Sequence, residues 1–98
     1  MDEQFVISCL EAALKNNSIH NYKIFGEADW CIGLDRNDDG WETYSVDRGQ
    51  RFSVVTFGTL YDACINLITR VSDEENKKIK TMQDFINKIL SDSSSKVM

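Results

Sequence analysis

Between residues 2 and 15 the apolar positions Phe5, Val6, Cys9, Leu10, Ala13 and Leu14 recur at spacings of three and four, while Glu3, Glu11 and Lys15 fall elsewhere. That period winds them into one stripe and predicts a helix with a single buried face. Asn16-Asn17-Ser18 ends it, because Asn tolerates the left-handed conformation used at helix ends. From Tyr22 to Phe57 the period becomes two. Tyr22-Lys23-Ile24-Phe25 is a short β-rich run stopped by Gly26, Trp30, Ile32 and Leu34 alternate with Cys31 and Gly33, and alternation resumes from Trp41 to Val46. Asp39-Gly40 between two alternating runs marks a hairpin, and a second turn at Asp47-Arg48-Gly49-Gln50 leads into Phe52–Phe57. Connections this short predict three or four antiparallel strands in a meander, since parallel neighbours need a long crossover.

Beyond Gly58 the helical period returns. Thr59 with Asp62 three residues on resembles a capping box. Leu60, Ala63, Cys64, Leu67, Ile68 and Val71 then keep the clearest helical stripe in the chain. Ser72 with Glu75 starts a third helix carrying Ile79, Met82, Ile86, Ile89 and Leu90, while Thr81 with Asp84 offers a later start that leaves residues 73–80 as a charged linker. Both readings stand at this stage. The Ser-rich stretch 91–98 is too polar to order itself and is expected to be a disordered tail. The order is that of an α+β domain over residues 1–90: an antiparallel meander sheet with one N-terminal and two C-terminal helices on one face.

At 98 residues there is room for one core only. No apolar run approaches the roughly 20 residues of a membrane helix, and no basic segment leads into an apolar one at the start. The net charge of −5 argues against nucleic acid as a partner, because neutralising phosphates takes Lys and Arg. Cys9, Cys31 and Cys64 are odd in number, widely spaced and set in apolar patterns, as buried free thiols of a cytoplasmic protein would be. With one His and no Cys-x-x-Cys, neither a zinc site nor any other cofactor is expected.

The pattern Asp35-x-Asn37-x-Asp39-Gly40 matches the first half of a calcium loop, but its twelfth position is Val46 where a bidentate Glu is needed. Residues 41–46 alternate like a strand, so the acids read as hairpin chemistry and no metal site is assigned. His20 sits in a polar loop, no nucleophile elbow or phosphate-binding glycine loop occurs, and no catalytic residues are assigned. The charge distribution says more. Seven acids and one base lie between Glu27 and Asp47, a net of −6, whereas the remaining residues carry nine acids and ten bases. Trp30, Trp41 and Tyr44 lie in the same stretch. Acidic segments steer basic partners and aromatic rings anchor them. Asp29, Asp35, Asp38, Asp39, Trp41, Glu42, Tyr44 and Asp47 are therefore the candidate partner-binding residues.

Tyr22-Lys23-Ile24, Trp30-Cys31-Ile32, Asp39-Gly40, Trp41-Glu42-Thr43-Tyr44, Asp47-Arg48-Gly49, Phe57 and Ala63-Cys64 together form a recognisable series. Over Tyr22–Ser72, about half the chain, it resembles the small immunity proteins of bacterial polymorphic-toxin and contact-dependent growth inhibition systems. The acid-Arg-Gly turn carries Asp47 where such proteins commonly have Glu. The resemblance implies a non-enzymatic protein that binds a cognate toxin domain, often a nuclease, and blocks its active site or an essential surface. Contact residues differ between cognate pairs, so none is carried over. The expected partner is a basic toxin domain, with neither nucleic acid nor membrane bound directly. The alternative is a small regulatory or ligand-sensing module with a weak cation site at the Asp35–Asp39 turn.

Overall fold

The computed structural model describes residues 2–97, with side chains from residue 2 to residue 91. Helix α1 (Glu3–Asn16) starts where Asp2 Oδ1 accepts the Gln4 N–H at 3.2 Å, and it buries Val6, Cys9, Leu10, Ala13 and Leu14 as the stripe predicts. Its end differs in detail. Ser18, not an Asn, takes the left-handed conformation (φ 57°), and the buried Asn17 amide instead bonds Ala13 O and Asp84 Oδ2.

Four strands follow: β1 (Tyr22–Ile24), β2 (Ile32–Asn37), β3 (Gly40–Asp47) and β4 (Gln50–Phe57), hydrogen-bonded in chain order. The sheet is mixed. β2, β3 and β4 form the expected antiparallel hairpins, but β1 runs parallel to β2, pairing Tyr22 with Ile32 and Ile24 with Leu34. The expectation that so short a connection excludes a parallel pair fails because β1 is only three residues long. The chain has little length to retrace, and residues 25–31 suffice for it. Positive φ at Phe25, Gly26 and Trp30 bends that return. Asn37 pairs with Gly40 around a two-residue Asp38-Asp39 turn, and Asp47 with Gln50 around Arg48-Gly49. Both Arg48 and Gly49 have positive φ, the backbone twist that suits right-handed strands. β4 carries one extra residue between its pairings with Thr43 and Ser45, a bulge at which Ser53 has φ 54°.

Helix α2 (Leu60–Val71) is capped by Thr59 Oγ1, which accepts the Asp62 N–H at 3.2 Å, and it lies across β2, β3 and β4 with its predicted stripe buried. Helix α3 (Glu75–Val97) then packs against α1 and α2. It begins at Glu75, so residues 75–80 are helix and the linker reading is set aside. Ser72 Oγ accepts the Glu74 N–H rather than that of Glu75, so the capping box expected there is not formed. The α3 stripe also turns further than expected. Phe85 is fully buried with Ile89 beside it, while Ile79 and Leu90 face outward. The expected tail at 91–98 falls, from residue 92, outside the residues whose side chains are described. No helix among the described residues is long and apolar enough to cross a membrane. One apolar cluster joins all three helices to Leu34 and Trp41 of the sheet.

Candidate functional site

Alternation along β3 divides its side chains between two faces. Thr43 and Ser45 point to α2: Thr43 Oγ1 bonds Asn66 Oδ1 at 2.5 Å, and the Arg70 guanidinium donates to Thr43 Oγ1 (3.1 Å) and Ser45 Oγ (2.8 Å). Trp41 shares that face and is in the core. Glu42, Tyr44 and Val46 point the other way, yet Tyr44 and Val46 are buried as well. Residues 25–31 fold over this outer face and close it. The Tyr44 hydroxyl donates to Gly26 O at 2.9 Å, the Trp30 N–H to Val46 O at 3.0 Å, and the Val46 N–H to Cys31 O at 3.1 Å. At the far end Asp29 Oδ1 accepts the Gly49 N–H at 2.8 Å.

The centre of the outer face is Arg51. Its guanidinium carbon lies 4.0 Å from the Tyr44 ring centroid. It pairs with Glu27 from the covering loop, with Glu42 of β3 (2.7 Å) and with Asp35 of β2 (3.4 Å). The hydrogen bond to Glu27 is the chief reason its pKa is raised. Burial raises that of the Tyr44 phenol, with Arg51 opposing and Asp35, Glu27 and Glu42 adding to the rise. Three carboxylates thus share one cation, which leaves the face negative.

Six of the eight candidate residues take positions in or around this surface. Asp35 and Glu42 hold Arg51, Asp38 and Asp39 are exposed at the β2–β3 tip, Asp29 is exposed at the opposite end, and Asp47 closes β3. Asp47 Oδ1 is shut away from solvent with no hydrogen-bond partner among the described residues. Trp41 and Tyr44 are not available as anchors. Trp41 is in the core shared with the helices, with Phe25 and Arg36 against its ring, and the 25–31 loop covers Tyr44, so both rings serve the fold. Of the three aromatics Trp30, Trp41 and Tyr44, the exposed one is Trp30, with 76% of its surface open and φ 65°. Sequence reasoning passed over Trp30, Glu27 and Arg51 as site residues. For Tyr44, the one available sign was Gly33, a strand residue without a side chain directly opposite the ring.

The oxygens of the supposed calcium loop are engaged in making the turn. Asp35 Oδ1 accepts the Arg36 N–H (2.9 Å), Asn37 Oδ1 accepts the Asp39 N–H (2.9 Å), and Asn37 Nδ2 donates to Glu42 Oε1 (3.0 Å). Among the described residues no three His, Cys, Asp or Glu side chains gather as a metal would need. His20 is exposed beside a cleft of about 790 Å³ between α1 and β1, away from the buried Cys9 and Cys64. Burial pushes the Cys64 thiol up to about 12. In that cleft Arg36 is already committed, stacked 4.8 Å from the Trp41 ring centroid and paired with Glu3. Compared with protein-family models, curated proteins and solved structures, the chain matches none.

Proposed function

We propose that this protein is an immunity protein, which binds a cognate bacterial toxin domain stoichiometrically and neutralises it without catalysis of its own. The observation that carries the reading is the outer sheet face, where Glu27, Asp35 and Glu42 surround one Arg51, Asp29, Asp38 and Asp39 extend the negative surface to both ends, and Trp30 stands open beside it. Such a face complements a basic surface of the kind a nuclease uses for its substrate, and it speeds encounter by long-range attraction. Trp30 adds a second argument. A left-handed conformation costs a non-glycine residue roughly 1–2 kcal/mol, and the indole recovers little of this by burial in the free protein. An indole held in that position suits the anchor of an interface. The resemblance of residues 22–72 to immunity proteins points to the same class of partner.

The test is to copurify the tagged chain from its source cells, identify the bound protein, and titrate its activity with the purified chain. The expected partner is basic and loses its activity at one equivalent. A partner whose activity is untouched at saturation, or one held by the helices when Trp30→Ala and Asp38→Asn/Asp39→Asn bind normally, refutes the reading.

A further inference from the structure

β4 ends the sheet, and its outer edge is open along eight residues. Seven of the eight are exposed, including Phe52 (47%), Val54 (50%) and Val55 (42%). The strand contains neither Pro nor Lys, and of the devices that commonly protect an edge it carries the bulge at Ser53 and one charged residue, Arg51, whose guanidinium is tied to the outer face. The register to β3 assigns its side chains to faces. Phe52 lies opposite Ser45, Val55 opposite Thr43 and Phe57 opposite Trp41, all on the helix side, whereas Arg51 opposite Val46 and Thr56 opposite Glu42 are on the outer side. The bulge makes this parity possible by bringing Phe52 and Val55, three apart, to one face.

We infer that β4 pairs antiparallel with β4 of a second copy of this chain, about a two-fold axis between Ser53 and Val54, to give one continuous eight-stranded sheet. That axis sets Phe52 opposite Val55 of the second copy, Arg51 opposite Thr56 and Gln50 opposite Phe57. Each pair then shares a face, and two Phe52–Val55 contacts form an apolar cluster across the axis.

Charge selects a second copy as the occupant. Asp62, Asn66 and Arg70 are spaced by four and form one ridge of α2, from which Asn66 and Arg70 reach down to Thr43 and Ser45 of β3, the strand next to the edge. α2 runs back along the sheet antiparallel to β4, with Arg70 beside Ser45 and hence at the level of Phe52, and Asp62 at the Phe57 end. A two-fold axis through the middle of β4 therefore lays this ridge antiparallel to its own copy, with Arg70 facing Asp62 of the second copy twice over. Among the described residues Arg70 contacts only hydroxyl groups and no carboxylate, and Asp62 has no cation, so each brings an unpaired charge of the sign the other lacks. The acidic outer face, with Trp30, stays open in both copies. The inference does not depend on what that face binds.

Sedimentation equilibrium of the full 98-residue chain, from low to high micromolar, tests this directly. The expected mass is twice the 11.2 kDa of the chain. Val55→Lys should give a folded monomer, because Val55 is already 42% exposed. Asp62→Lys should weaken the dimer about tenfold or more by facing Lys with Arg70, and adding Arg70→Glu to the same chain should restore it. Amide exchange along β4 in the unaltered chain should slow as concentration rises. A chain that stays monomeric throughout the range, a dimer indifferent to Val55→Lys and Asp62→Lys, or β4 exchange rates independent of concentration would each overturn the inference.

Discussion

Gly33 and Tyr44 face each other across β2 and β3, and the Tyr44 ring lies where a side chain at residue 33 would begin: a β-carbon there would meet Cε2 at 2.2 Å. A ring this close to the backbone is held between the sheet below and the 25–31 loop above. Gly33→Ala should therefore cost about 1–3 kcal/mol or more, as overpacking a closed site does. Urea unfolding with near-ultraviolet dichroism measures it. An unchanged midpoint with an unchanged aromatic signal would mean that the ring is free to move aside.

Leu67 is fully buried in the middle of α2, among residues of all the helices. Leu67→Ala should cost roughly 2–5 kcal/mol, the upper part of the range applying if the site cannot collapse around the lost methyls. Thermal melting checks it.

Arg51→Met keeps the stem over Tyr44 and removes the charge that ties the covering loop to the sheet. The group is one-third exposed, so the loss should be near 1 kcal/mol. It should shrink in high salt as the wild-type ion pairs are screened. Amide exchange at residues 26–30 should quicken more than elsewhere. Uniform exchange changes would show that the loop is held by something other than Arg51.

The two tryptophans should behave oppositely. Trp41→Ala empties a core position and should cost about 3–5 kcal/mol of stability. Trp30→Gly relieves a left-handed residue and should stabilise the free protein by about 1 kcal/mol, and under the proposed function it should shorten the lifetime of the complex with the toxin domain. Parallel melts and surface-plasmon dissociation rates separate the two.

Asp84 joins α3 to the end of α1. The Asn17 and Asn16 amides donate to Asp84 Oδ2 at 2.9 Å each and hold its carboxyl below the usual 3.8. Because the folded pKa is the lower one, this stabilisation is complete above about pH 3.8 and is lost as pH falls through that value toward the folded pKa. Asp84→Asn should lower the melting temperature at pH 7, and its difference from the unaltered chain should narrow below pH 3.8. A difference that stays constant with pH would remove the charge from the explanation.

The helices were legible because their stripes have a single period and a single buried side. α1 and α2 lie where Phe5–Leu14 and Leu60–Val71 place them, and Thr59 caps as its spacing implies. The hairpins were legible from Gly40 and Gly49. The parallel pairing of β1 was not, since the rule relating crossover length to direction assumes strands longer than Tyr22–Ile24. Nor was the fate of the aromatics. Alternation separates Trp41 from Tyr44 but does not say that both sides of β3 are covered, and the cover over Tyr44 depends on Phe25 and Trp30 adopting a conformation their side chains disfavour. Arg51 was missed for a related reason: its three carboxylate partners come from β2, β3 and the loop, and only the folded sheet brings them together.

α1 packs against α3, and its apolar stripe shares a core with Phe85 and Ile89. Residues at positions 6–14 therefore complete their burial only against residues made some seventy positions later. During synthesis the contacts within β2–β3–β4 are local in sequence, but the α1 stripe, which α2 covers only in part, stays incompletely buried on the nascent chain until Phe85 and Ile89 have emerged. The interval before that closure is when the chain is most open to chaperones and to sticking to its neighbours.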